Sequence, residues 1–164
     1  MIFEHLTLVK PIEEGLSDQK AYPPLGLLYL ASFVKLHGAI RPDKVRLFFM
    51  ENEEDYNFVM PNLGNCIVDN SIIGISLHSP GAYSESKKTI DFIKKNKGDK
   101  NILIVLGGAF ATSCYDMIIN EYKDPNLWVV RGEGEKALTD ITHGGSPNDI
   151  AGVYAWEFGR EVDF

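Results

Sequence analysis

Short apolar runs recur along the chain, and most are followed by a stretch with helical spacing. Residues 2–9, with Phe3, Leu6, Leu8 and Val9, form the first run, which Lys10-Pro11 ends. The second covers residues 44–50 (Val45, Leu47, Phe48, Phe49), the third is Ser71-Ile72-Ile73-Gly74-Ile75-Ser76, and residues 102–106 and 127–130 supply two more. Runs this short and rich in β-branched residues predict strands. The third lacks apolar–polar alternation, the mark of a central strand covered on both faces.

Between the strands the period changes. Pro24 is placed to open a helix through residue 36, because its missing N–H costs nothing in a first turn. Leu27, Leu30, Ala31 and Val34 share a face, but Leu28, Tyr29 and Phe33 fill the others, so this helix is predicted to be largely buried, with Gly38 as its C-terminal cap. Residues 83–95 predict an amphipathic helix, with Ile90 and Ile93 inward and Lys87, Lys88, Lys94 and Lys95 solvated. Residues 111–122 predict another, on which Cys114, Met117 and Ile118 fall on one face, and a last helix carries Ala137, Leu138 and Ile141. Residues 12–21 are polar and irregular, which predicts a functional loop, and residues 51–70 a short helix and a loop.

Strand–helix alternation of this kind specifies a parallel sheet with helices on both faces. The expected fold class is α/β: one flavodoxin-like (Rossmann-like) doubly wound domain over residues 1–164, with a five-stranded parallel sheet in the order 2-1-3-4-5. The tail departs from this pattern. Val153-Tyr154-Ala155-Trp156, a turn at Phe158-Gly159-Arg160 and then Glu161-Val162 predict a small antiparallel hairpin at the edge.

Composition narrows the function classes. The 164 residues are 45% hydrophobic and 24% charged, with 16 basic and 23 acidic side chains for a net charge of −7. That balance disfavours a nucleic-acid or anionic-membrane footprint, and no apolar stretch is long enough to span a membrane. No signal peptide is evident at Met1-Ile2-Phe3-Glu4-His5, and the two cysteines, Cys66 and Cys114, share no motif, so the expected location is a reducing cytoplasm.

Three glycine-containing segments fall where strands should end: Tyr22-Pro23-Pro24-Leu25-Gly26, Leu106-Gly107-Gly108-Ala109 and Arg131-Gly132-Glu133-Gly134-Glu135. Open α/β sheets bind ligands in the crevice beyond their carboxyl edge, and glycines there let a flat or bulky group reach backbone. Several ligands are excluded. The first and third strands end in Val9-Lys10-Pro11 and Ser76-Leu77-His78, without the clustered acids of a phospho-receiver. Ile12-Glu13-Glu14-Gly15 is acidic where a flavin phosphate loop would be rich in Ser and Thr. No G-x-G-x-x-G follows the first strand, and no Ser/His/Asp arrangement or H-E-x-x-H helix is present.

The ordered set of motifs resembles a known family. Tyr22-Pro23-Pro24-Leu25-Gly26-Leu27-Leu28-Tyr29-Leu30-Ala31-Ser32 resembles the opening segment of the cobalamin-binding domain of cobalamin-dependent radical S-adenosylmethionine (SAM) proteins. Ile73-Gly74-Ile75-Ser76, Val105-Leu106-Gly107-Gly108-Ala109-Phe110-Ala111-Thr112 and Val129-Val130-Arg131-Gly132-Glu133-Gly134-Glu135 follow in the family's order, and Ile150-Ala151-Gly152-Val153-Tyr154 resembles the segment that closes the domain. The resemblance implies a base-off cobalamin at the carboxyl edge of the sheet. Its binding residues would be Tyr22, Pro24, Leu25, Gly26, Ser76, Leu77, His78, Gly107, Gly108, Ala109, Phe110, Arg131, Gly132, Glu133 and Glu135. Gly107 and Gly108 would open a slot for the nucleotide tail, and Ser76 would donate a hydrogen bond to it.

Two departures refine the expectation. The D-x-H-x-x-G motif that supplies a lower cobalt ligand in methionine-synthase-like modules is absent, and the radical branch that the chain resembles usually lacks it too. Of the histidines, His5 falls in the first strand, His37 and His143 near helix ends, and His78 in the proposed crevice. The family's C-x-x-x-C-x-x-C motif needs three cysteines and this chain has two, so no iron–sulfur cluster is expected here. The resemblance therefore implies a module that serves a radical SAM catalytic domain or subunit, in cis or in trans, in a methyl transfer. A stand-alone corrinoid carrier or sensor, or an interaction domain that has lost its ligand, are the alternatives.

Overall fold

The computed structural model describes residues 2–13, 15–19 and 24–156. Five strands run parallel in one sheet: β1 (His5–Lys10), β2 (Val45–Phe49), β3 (Ser71–Ser76), β4 (Ile102–Gly107) and β5 (Leu127–Val130). A sixth, β6 (Val153–Ala155), pairs antiparallel with β5, giving the order β2-β1-β3-β4-β5-β6. The fold class expected from the sequence is the one observed. The antiparallel addition lies at the expected edge, while the turn and second arm of the expected hairpin fall outside the described residues.

Helices cover both faces: α1 (Leu25–His37), α2 (Glu53–Gly64), α3 (Pro80–Asn96), α4 (Ala109–Ser113), α5 (Tyr115–Tyr122) and α6 (Gly134–Thr142). The register aligns Leu6 with Ile72 and Ile72 with Leu103, so alternate residues form rows across the sheet. Leu6, Leu8, Ile72, Leu103, Val105 and Val130 join Leu27, Val34, Leu138 and Ile141 in the core under α1 and α6. Val9, Ile73, Ile75, Ile104, Leu106 and Val129 join Leu63, Ile90, Ile93 and Ile118 in the core under α2, α3 and α5. Ser79 starts α3 by accepting a hydrogen bond from Ala82 N–H, a side-chain cap that the apolar pattern did not mark.

Two expectations are corrected. The helix α1 is not largely buried: Leu27, Ala31 and Val34 are, but Leu25, Leu28, Tyr29 and Leu36 are exposed by 68%, 43%, 60% and 79%. It forms one layer over the sheet, so only one stripe can be covered and the remaining apolar residues point outward. The helix expected over residues 111–122 is two, broken at Cys114 (φ −122°, ψ 23°). Cys114 is half-buried at the junction and Met117 is exposed, so of the expected face only Ile118 is fully packed.

The entry to β5 is held by Asp124, which accepts from Asn126 N–H (2.9 Å) and pairs with Lys94 at 2.8 Å. Burial pushes the Asp124 carboxyl up, but the Lys94 ammonium and the Asn126 N–H outweigh it and hold the group below the usual carboxylate range. The carboxyl thus titrates lower folded than unfolded. Its stabilisation is complete above the ordinary carboxylate pKa and is lost as pH falls through the folded value. Asp124→Asn is expected to cost about 1–3 kcal/mol at neutral pH. It should also flatten the acid limb of stability against pH, as followed by urea unfolding between neutral and acid pH.

Candidate functional site

The carboxyl ends of β3 and β4 are clasped by backbone. Leu77 N–H donates to Gly107 O (2.7 Å), and Leu77 O accepts from Phe110 N–H (3.0 Å), so the chain leaving β3 pins the turn from β4 into α4. That turn requires Gly108. Its φ is +105°, and a Cβ there would stand 2.4 Å from the Leu77 carbonyl oxygen. Gly107 differs, since a Cβ added there meets nothing within 4 Å.

What Gly107 faces is a cavity of about 160 Å³ between the sheet, α1 and α6. On the row pattern of this face, β3 presents Gly74 and Ser76, and β4 presents Val105 and Gly107, with Ser76 and Gly107 side by side. Small residues at the ends of the two central strands leave a trough where larger side chains would fill the space between the helices. Leu8, Leu27, Leu30, Val130 and Leu138 make its walls apolar, while Gly132, Gly134 and Glu135 close the side at the start of α6. Thr112 Oγ1 accepts from Gly132 N–H (2.9 Å), which ties that wall to α4. The buried Ser76 Oγ and the exposed His78 Nε2 lie 2.9 Å apart at the cavity floor and rim.

A second cavity of about 500 Å³ adjoins the first, sharing Gly26 and His78 with it, and is lined further by Lys10, Glu13, Leu16, Pro24 and Leu25. Its loop is organised by the side chain of Gln19, whose Oε1 accepts from Glu13 N–H (2.9 Å) and whose Nε2 donates to the carbonyls of Glu13 (2.7 Å) and Leu16 (3.1 Å). The stretch expected to be an irregular loop is therefore cross-linked where it is described.

Of the residues named from the sequence, Gly26, Ser76, His78, Gly107, Gly108, Gly132 and Glu135 line the first cavity, and Pro24 and Leu25 line the second. Leu77 is fully buried in the opposite core and contributes its backbone clasp. Phe110 packs against that same core with its ring 5.3 Å from Tyr83, and Ala109 is exposed at the start of α4. Arg131 is exposed and lies over the Tyr115 ring at 5.1 Å, and Glu133 stands exposed at the N-cap position of α6 without a side-chain capping hydrogen bond. Tyr22 lies outside the described residues. Sequence reasoning placed Lys10, Gly74, Leu27, Leu30, Val130 and Leu138 in strands, helices or motifs but did not propose them as binding residues. Gly74 carried a signal, as the one residue without a side chain in a continuous apolar strand.

Gly74, Ser76 and Gly107 thus floor a cleft at the carboxyl edge of the sheet. Residues 17–142 match the B12 binding domain family, so the chain belongs to that family. Its fold is also that of solved structures of the cobalamin-dependent S-adenosylmethionine radical enzyme OxsB. The form with aqua-cobalamin and S-adenosylmethionine bound superposes with a TM-score of 0.73 at 22% identity, and the form with aqua-cobalamin bound with 0.70 at 22%. The apo, selenomethionine-labelled form gives 0.65 at 21%. Each match covers 98% of this chain but 22% of the OxsB chain, so the chain spans about a fifth of the length of these structural neighbours. No curated protein matches the sequence.

The geometry separates the roles of the paired glycines. Gly108→Ala is expected to destabilise the fold by about 2 kcal/mol or more, through its left-handed φ and the clash with Leu77. Gly107→Ala should stay within about 1 kcal/mol of the parent, because its Cβ enters open space. Urea midpoints for the two variants check the contrast, and equal losses would refute it.

Proposed function

We propose that this chain binds cobalamin in the base-off form, with the nucleotide tail in the cavity between the sheet, α1 and α6 and the corrin ring over the carboxyl edge. One observation carries the reading: the open space at Gly107, beside Gly74 and Ser76, which any larger side chains would fill. The residues suit such a group. Apolar walls accept a flat heterocycle, Ser76 and His78 offer polar atoms where the tail enters, and Pro24, Leu25 and Gly26 border the adjoining wider cavity. When bound, the corrinoid would supply organocobalt chemistry. This chain's residues bind it, orient it and shield its tail from water.

The reading extends to a partner. We take the module to serve a radical SAM catalytic domain, in cis or in trans. Beyond the neighbours' greater length, support comes from α1, whose outer face carries Leu25, Leu28, Tyr29 and Leu36 in the open, beginning at the rim of the site. Apolar surface of this kind marks a contact region.

Reconstitution with hydroxocobalamin followed by desalting is expected to leave one equivalent of coloured ligand with a base-off absorption spectrum. An empty protein would exclude both the module and the carrier reading and leave an interaction domain. Gly107→Val then tests the slot. It should weaken cobalamin binding at least about thirtyfold, or about 2 kcal/mol. Binding of cobinamide, which has no nucleotide tail, should weaken much less, and equal losses for the two ligands would show that the tail does not enter beside Gly107.

A further inference from the structure

Lys10 ends β1 on the face that carries Leu6 and Leu8, and there it is only 6% exposed. Among the described residues its ammonium donates to one acceptor, the backbone carbonyl of Gln19, at a long 3.3 Å. Among the described residues no carboxylate lies within ion-pairing distance of it. Glu13 lines the same cavity without pairing to it, and His78 is the other titratable group among the described lining residues. A buried cation held by a single neutral carbonyl is costly, and an anion offsets that cost where another carbonyl cannot. The cavity that Lys10 lines is the one that meets the tail slot at Gly26 and His78.

We infer that Lys10 is the anion anchor of the site, pairing with the phosphodiester that joins the corrin ring to its nucleotide tail. The phosphodiester is the negatively charged group of cobalamin, and it lies between the two parts of the ligand as the junction lies between the two cavities. The inference rests on the cobalamin reading and adds to it a residue that fits a charge. It also answers the acidic loop: Glu13 stands in the same cavity, so without Lys10 the field at the junction would oppose a phosphate.

Lys10→Met removes the charge and keeps an unbranched side chain one heavy atom shorter. Titrated with aquacobalamin and with cobinamide by absorption, the variant is expected to bind cobalamin about tenfold more weakly or worse, and cobinamide within about threefold of the parent. Lys10→Arg should recover most of the difference. Without ligand, the thermal midpoint of Lys10→Met should equal or exceed that of the parent, because a buried unpaired charge has gone. Unchanged cobalamin affinity overturns the inference, and so does an equal loss for both ligands, which would assign Lys10 to a ring amide. A lowered midpoint with unchanged affinity overturns it too, making Lys10 a structural tie to Gln19. A parent protein that takes up no cobalamin overturns this and the proposed function together, whereas a parent that binds normally beside an unaffected variant overturns the anchor alone.

Discussion

The clasp between Leu77 and the Gly107–Gly108 corner is the contact on which the site depends. Two backbone hydrogen bonds, Leu77 N–H to Gly107 O and Phe110 N–H to Leu77 O, hold the ends of the two central strands in register. Because they use backbone, they leave the side chains of that register free to be small, and Ser76 and Gly107 stand side by side at the trough. Gly108 has no such freedom, since its φ and its distance to the Leu77 carbonyl fix it by sterics. One neighbour serves the turn so that the other can serve the cavity. A loss of the clasp would shift α4, and with it Thr112 and the Gly132 wall that Thr112 holds.

The two faces of the sheet are built differently for this reason. The face under α2, α3 and α5 is filled to the strand ends, with Val9, Ile75, Leu77, Leu106 and Val129 all buried. The face under α1 and α6 is filled only through its first rows and then opens. Burying apolar surface contributes about 25 cal/mol per Å², so an unfilled trough forgoes stability that the opposite core supplies. A domain can keep such a gap because its stability comes from elsewhere in the sheet. The outward apolar stripe on α1 has the same character: surface left uncovered by this chain, starting at the lip of the same site.

Charge is distributed with comparable economy. The chain carries a net charge of −7, yet the cation most deeply buried at the site, Lys10, has no acid paired to it among the described residues, whereas Lys87, Lys88, Lys94 and Lys136 each meet a carboxylate. The surface pairs are worth little in water. Asp124 is the exception because it also accepts a backbone N–H and so sets the approach to β5.

The residues by themselves determined the strand order and most of the glycine-lined edge. Short runs rich in β-branched residues, such as Ser71–Ser76 and Leu127–Val130, predict buried strands, and the bounds of each were legible to the residue. The motif order around Gly26, Ser76, Gly107 and Gly132 was legible too, since small residues at strand ends mark where a sheet edge opens, and these four line the cavity there. The tertiary structure alone decided which apolar stripe of α1 is covered, because periodicity shows the faces of a helix but not how many layers will lie against them. It alone divided Gly107 from Gly108, for φ and the position of the Leu77 carbonyl are properties of the packed corner and not of the letters. And it alone buried Lys10, which in sequence is an ordinary charge before a proline and is enclosed, with its ammonium on the Gln19 carbonyl, only when β1, α1 and the Gln19 loop close around it.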